Sequence, residues 1–349
     1  MRASAAPRTH LAPSARPFTR RRVAPARRSG ALRVECRNRI LFREREVDRA
    51  PDGEIVARLP PTDPRAVHSR EILGVFPGDP LRVGVVNDAP ATAVVESCPS
   101  PDAPDAPLAL RWRPGEERDD PDTARRSLSS RWTDTTATWI PPTRVDLLLA
   151  VPRPKVLRRM WAPLASMGVD RVYLTNAARV ERYYFDSKAL EPDAVEDELL
   201  RGLEQSGDVY MPGVCVARRF PAAFDALGVT GEAPREGSAE WLVDPPPERT
   251  EPWSSFVGCS EPTPVLLMAH PGSRTSLRDA LSGAGRAGWG YGARRVVVAV
   301  GPEGGWTEHE RERMLERGFR EVALGNRTFA SDVACISLIA AVRERTESW

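Results

Sequence analysis

The sequence has no C-x-x-C pair, and its five cysteines (Cys36, Cys98, Cys215, Cys259 and Cys335) are odd in number and widely spaced. Neither a disulfide framework nor a zinc site fits that pattern. The four histidines, His10, His68, His270 and His309, do not cluster either, so no metal is expected. No apolar run approaches membrane-spanning length, and no membrane partner is expected. There is no Walker A loop, no G-x-S-x-G elbow and no H-E-x-x-H pair. Those absences leave no signature of a P-loop NTPase, a serine hydrolase or a zinc protease. The expectation is a soluble protein of a reducing compartment.

Acidic residues are missing from one stretch. Residues 1–34 hold nine arginines and no lysine, aspartate or glutamate, so with a net charge of +2 the rest of the 349-residue chain carries about −7. The body is therefore not a generally basic nucleic-acid binder, and any RNA contact must use a local patch. The first segment is rich in Arg, Ala, Ser and Pro and has no apolar h-region. It reads as an organelle transit peptide over residues 1–36, with a basic RNA-touching arm as the alternative. Its ending, ALRVEC, resembles chloroplast cleavage regions; the mitochondrion is the other destination considered.

Composition divides the chain beyond this segment into three parts. Residues 37–96 hold the short β-prone runs NRILF, EIVARL, DPLRVGVVN and TAVVES, broken by Pro, Gly and Asp. Residues 97–143 are rich in Pro, Asp, Ser and Arg without a period and read as a disordered insert. Residues 144–349 alternate apolar strands with helical patterns. The strands are VDLLLAV, VDRVYLTN, PVLLMAH, RRVVVAV and REVALG. Helical patterns cover residues 155–168, interrupted by Pro163, then 193–207, 307–317 and about 332–345, while 212–262 reads as loop-rich. Five apolar strands between helices imply an α/β domain with a parallel sheet covered on both faces. The last helix, VACISLIAAV, is apolar nearly all round, which places it in the core or in a subunit interface.

Three strand ends hold the candidate site. After RRVVVAV come Gly301-Pro302-Glu303-Gly304-Gly305, and Thr307 and Glu310 then form a T-x-x-E capping box. Ligands of open α/β sheets sit beyond the carboxyl ends of strands, and glycines let a ligand approach the backbone. Glu303 would repel a phosphate, so a guest with hydroxyls, an adenine edge or a positive group suits the turn better. The second end is Leu324-Gly325 with Ser331 or Asp332 as cap of the last helix. The third is His270-Pro271-Gly272. One decoy is set aside: Gly283–Gly288 matches G-x-G-x-x-G literally but neither follows a strand nor opens a helix, so it reads as a loop.

GPEGG after an apolar strand, with LG-x-R some twenty residues later before an apolar helix, resembles the ribosomal RNA uridine methyltransferases of the SPOUT superfamily. Weaker matches are the EQSG at 204–207 followed by Pro212, MetGlyVal at 167–169, His270-Pro271 and NRILF. The resemblance implies a C-terminal α/β domain with a trefoil knot, a small N-terminal PUA-like β-barrel that engages RNA, and a homodimer. It implies S-adenosyl-L-methionine as cofactor, held by His270, Gly301, Pro302, Glu303, Gly304, Gly305, Leu324, Gly325 and Phe329. The implied reaction is methylation of a uridine ring N3 in small-subunit ribosomal RNA.

Such a transfer needs in-line alignment and loss of a proton from the base. Asp332 is the candidate acid/base, and Arg327 the candidate donor to the target. Arg39, Arg43, Arg45, Lys155, Arg158 and Arg159 are candidates for phosphate contacts. The chain departs from the family pattern at Ala330 and Asp208, where arginines are usual, at Pro163, where a lysine is usual, and at the shortened acid Asp332. Ala330 favours a second reading, a catalytically silent RNA-binding assembly protein that keeps the cofactor pocket. A third, a doubly wound nucleotide-binding enzyme, predicts ATP or NAD binding.

Overall fold

A computed structural model describes residues 39–100, 102–116, 143–229, 239–245, 264–282 and 295–346. The segment read as a transit peptide (1–36), most of that read as an insert (117–142) and the stretch Gly283–Gly288 read as a loop lie outside the described residues.

Six short strands build the first sheet: β1 (Ile40–Phe42), β2 (Val47–Arg49), β3 (Ile55–Leu59), β4 (Pro80–Val85), β5 (Ala91–Ser97) and β6 (Leu108–Trp112). The order is β1-β4-β5-β6-β3-β2, antiparallel except for the β1–β4 pair, and α1 (Pro64–His68) links β3 to β4. Alternation decides the buried face: in β3, Ile55, Ala57 and Leu59 are buried while Val56 and Arg58 are not. Phe42 and Trp112 stack across this core with ring centroids 5.4 Å apart. One boundary moves. The segment read as an insert from residue 97 contributes β6, which pairs with both β3 and β5. Its five strand residues are hidden in the sequence by the Pro/Asp-rich turn chemistry on either side.

Seven strands build the second sheet: β7 (Arg144–Ala150), β8 (Arg171–Thr175), β9 (Gly213–Ala217), β10 (Glu240–Val243), β11 (Val265–Ala269), β12 (Arg295–Val300) and β13 (Arg320–Val322). The order is β10-β9-β8-β7-β12-β11-β13, parallel except at the β10 edge. The helices are α2 (Pro154–Ser166), α3 (Pro192–Ser206), α4 (Phe220–Leu227), α5 (Leu277–Ser282), α6 (Glu308–Leu315) and α7 (Ser331–Thr346). Buried runs such as LLLA and VVAV explain why the central strands are visible as apolar blocks. Two readings are corrected. The stretch 212–262 holds β9, α4 and β10 and is not mainly loop. Pro163 does not end α2 at once: the helix continues to Ser166, one turn beyond the proline, whose missing N–H removes one i→i−4 bond of the ladder. The strand order is not sequential: β12 follows β11 in the chain yet lies between β11 and β7, and α7 then returns from β13 to pack on β12, β7 and α2.

The two sheets are joined by polar contacts that consume two expected RNA-binding residues. Arg39 is 2% exposed. Its guanidinium donates to the carbonyls of Val83 (2.7 Å), Ala91 (3.2 Å) and Gly207 (3.0 Å). Arg43 pairs with Glu196 at 2.6 Å and with Asp197, both on α3. Neither side chain is offered to a phosphate. Asn87, in the left-handed region at φ 64°, adds a further tie: its N–H donates to Val209 O (2.8 Å) and its side-chain oxygen accepts from Met211 N (2.9 Å). Half-buried beside β1, Glu204 accepts from the Leu41 N–H at 3.5 Å, and desolvation raises its pKa.

Candidate functional site

The glycine turn is built as expected, but its glutamate has a partner within the chain. β12 runs into Gly301, and Gly305 turns at φ +72° with its N–H donating to Pro302 O at 2.8 Å. A capping box then starts α6: Thr307 Oγ1 accepts from Glu310 N (3.3 Å), and Glu310 Oε2 accepts from Thr307 N (2.8 Å). The other oxygen of Glu310 accepts from Ala178 N at 2.7 Å, tying the loop after β8 to the turn. Arg179 lies on the same turn and donates to Gly304 O; a Cβ on Gly304 would meet its Cδ at 2.8 Å. A side chain at Gly304 would displace the Arg179 side chain from the turn. Glu303 Oε1 accepts from Arg153 N at 3.2 Å, at the N-terminus of α2, where a negative charge is favoured.

The other two strand ends lie beside this turn because β12, β11 and β13 are neighbours and parallel. His270 follows β11; its N–H donates to Val322 O (3.0 Å) and its carbonyl accepts from Ser273 N (3.0 Å). Ala323 N donates to Thr275 O at 3.1 Å, so the loops after β11 and β13 are laced together. Leu324 is half-buried and residues 325–330 are exposed, Phe329 among them. The three loops named from the sequence thus converge, and His270, Gly301–Gly305 and Leu324–Gly325 share one end of the sheet. A Cβ on Gly305 or Gly325 would meet nothing within 4 Å, so both backbones border open space.

The two candidate reaction residues are not brought together. Asp332, in the first turn of α7, forms an ion pair with Arg159 of α2, and its side chain is only 14% exposed. Arg327 is exposed and has no ion-pair partner among the described residues. Lys155 and Arg158 are exposed on α2, opposite the face that buries Leu157, Met160, Trp161 and Leu164. Among the described residues no group of His, Cys, Asp and Glu can hold a metal ion, and no helix is long and apolar enough to cross a membrane.

Sequence reasoning missed the loop after β8. Arg179 grips the turn, Glu310 anchors Ala178, and the 3-10 turn Arg182–Asp186 lies just beyond. Tyr184 in that turn is hydrogen-bonded to Arg153 and lies near Glu303, and burial raises its phenol pKa. The available signal was the local RVERYYFD, which puts cations and aromatics together just after a strand end.

The RNA methyltransferase domain family matches residues 140–230 and 248–343, which include all three strand-end loops. A ribosomal RNA small subunit methyltransferase E of Treponema pallidum is 27% identical over 206 residues, 59% of this chain and 64% of that protein. One of Borreliella burgdorferi, ribosomal RNA small subunit methyltransferase E 1, is 19% identical over 194 residues, 56% of this chain and 64% of its own length. The chain thus spans about 64% of the length of these curated relatives. The crystal structure of a ribosomal RNA small subunit methyltransferase E from Neisseria gonorrhoeae, bound to S-adenosyl methionine, superposes with a TM-score of 0.53 at 18% identity. It covers 88% of this chain and 97% of its own, a likeness of fold. With more than half of its residues matched, this chain belongs to the RNA methyltransferase family.

Proposed function

We propose that the protein uses S-adenosyl-L-methionine to methylate the ring N3 of a uridine in organellar small-subunit ribosomal RNA. The observation that carries this reading is the convergence of the loops after β12, β11 and β13 in a chain of the RNA methyltransferase family. The donor set fits such a cofactor. Glycine backbones at Gly305 and Gly325 border open space, and the turn carries an acid where a phosphate site would want donors only. Backbone groups of Gly301–Gly305 and Leu324–Gly325, with His270 and Phe329 at the rim, would hold the nucleoside and the positively charged end. When bound, the sulfonium supplies an activated methyl group. The chain's own part is to orient the uridine in line with it and to exclude water.

Four finer expectations belong to the same proposal. The insertion of β12 between β11 and β7, with the return of α7 across them, supports a trefoil-knotted chain. The six-stranded first sheet supports a PUA-like RNA-engaging unit. Val333 and Ile336, exposed on α7 near the site, support a homodimer covering that face. Residues 1–36 support import into the chloroplast, with the mitochondrion as the alternative.

The Asp332–Arg159 pair favours a second reading. The Asp332 carboxylate is engaged by a side chain of the same protein, and with Ala330 this supports an RNA-binding assembly protein that keeps the pocket. One assay separates the two: purified protein is incubated with methyl-labelled S-adenosylmethionine and small-subunit ribosomal RNA. Label in 3-methyluridine is the expected result. Cofactor binding without label in RNA would leave the silent reading.

A further inference from the structure

The stretch 151–190 carries eight basic and three acidic residues, while the chain beyond the first 34 residues is net negative by about seven. This local reversal of charge lies at the C-terminal ends of β7 and β8, against the glycine turn. Contact is direct: Arg153 N reaches Glu303 (3.2 Å), Ala178 N reaches Glu310 (2.7 Å) and Arg179 reaches Gly304. Lys155, Arg158 and Arg182 are exposed there, with no ion-pair partner among the described residues.

One aromatic is presented in the same place. In the turn Arg182–Asp186, Tyr184 and Phe185 are buried, and Arg218 covers the Phe185 ring at 5.6 Å. Tyr183 is instead 64% exposed, and its ring meets Tyr184 edge to face at 4.8 Å and 81°. Two buried rings thus anchor a short, rigid turn while the third faces solvent in a set orientation. Exposed cations beside an oriented aromatic match an unpaired nucleic-acid strand, whose phosphates need charge and whose bases offer a π-face.

We infer that the start of α2 and the loop after β8 form a platform for single-stranded RNA, on which Tyr183 stacks a base while Lys155, Arg158 and Arg182 hold phosphates. This rests on the RNA methyltransferase reading of the adjoining loops. The platform borders the glycine turn on its β7 side, where Arg153 N reaches Glu303 and Arg179 reaches Gly304. Tyr183 acts as a positioning residue. A duplex keeps its bases stacked and inaccessible, so the platform prefers an unpaired segment.

The test measures anisotropy of a short fluorescein-labelled oligouridylate at several salt concentrations, S-adenosylmethionine affinity by calorimetry, and KM and kcat for small-subunit ribosomal RNA. Tyr183→Ala weakens oligouridylate binding on the order of tenfold, and raises KM more than it lowers kcat. Tyr183→Phe keeps wild-type binding. Arg182→Gln lowers the slope of log affinity against log salt by about one. Cofactor affinity is unchanged in all three. Wild-type RNA binding by Tyr183→Ala, or a loss in Tyr183→Phe equal to that in Tyr183→Ala, overturns the platform. Tighter binding of a duplex than of the single strand overturns its preference. A wild-type protein that binds the cofactor but no RNA overturns instead the RNA reading on which the platform rests.

Discussion

Arginines at the junction of the two sheets and cations beside the glycine turn carry the same charge in opposite circumstances. Arg39 and Arg43 direct their donors to carbonyls and carboxylates of the protein itself. Lys155, Arg158 and Arg182 face solvent with no ion-pair partner among the described residues. The first group is structural because its hydrogen bonds are already made; the second is available because its bonds are not. The comparison shows that a basic residue in an RNA-binding family identifies a contact only when its burial and partners are known.

The junction should break hardest. Arg39→Met leaves the carbonyls of Val83, Ala91 and Gly207 without this donor, and a loss of about 3 kcal/mol is expected. A shift of the urea midpoint at constant slope checks it, whereas the platform variant Arg182→Gln should leave that midpoint in place. Next comes Gly305→Val in the turn, which forces a β-branched residue to φ +72° and costs about 1–2 kcal/mol. Calorimetry should show cofactor binding lost as well, while a variant that melts earlier yet binds normally would make the turn purely structural.

Smaller effects sharpen the contrast. Arg159→Ala removes a pair whose arginine is 60% exposed, so stability should fall by no more than about 1 kcal/mol. If Asp332 serves the reaction, the same variant changes kcat for methyl transfer; an unchanged kcat leaves the aspartate as an anchor of α7. The smallest effect is at Glu204. Burial raises its folded-state pKa above the ordinary glutamate value, so its contribution to stability is complete below that ordinary value and declines as pH rises through the folded one. Glu204→Gln should therefore gain on the wild type between acid and neutral pH, measured as the difference between their denaturation curves.

Parts of the fold are visible in the sequence for physical reasons. LLLA and VVAV announce buried parallel strands because both faces are covered, and Thr307 with Glu310 announces a helix start because the capping box is local. GVCVA escapes notice although all five residues of β9 are buried, because a run that short between Pro-rich neighbours carries little period. Strand order is not legible: the place of β12 between β11 and β7 depends on contacts far apart in the chain. The three strand-end loops are legible because glycines and caps mark strand ends. The partners of Glu303, Asp332 and Arg39 are not, since each is set by tertiary packing.

The central claim is that these strand-end loops support methylation of small-subunit ribosomal RNA. Nucleoside mass spectrometry of that RNA, from cells with and without the protein, tests it most directly. The account predicts that 3-methyluridine is lost without the protein, restored by the wild-type chain and not restored by Gly305→Val. An unchanged content of 3-methyluridine without the protein would contradict it.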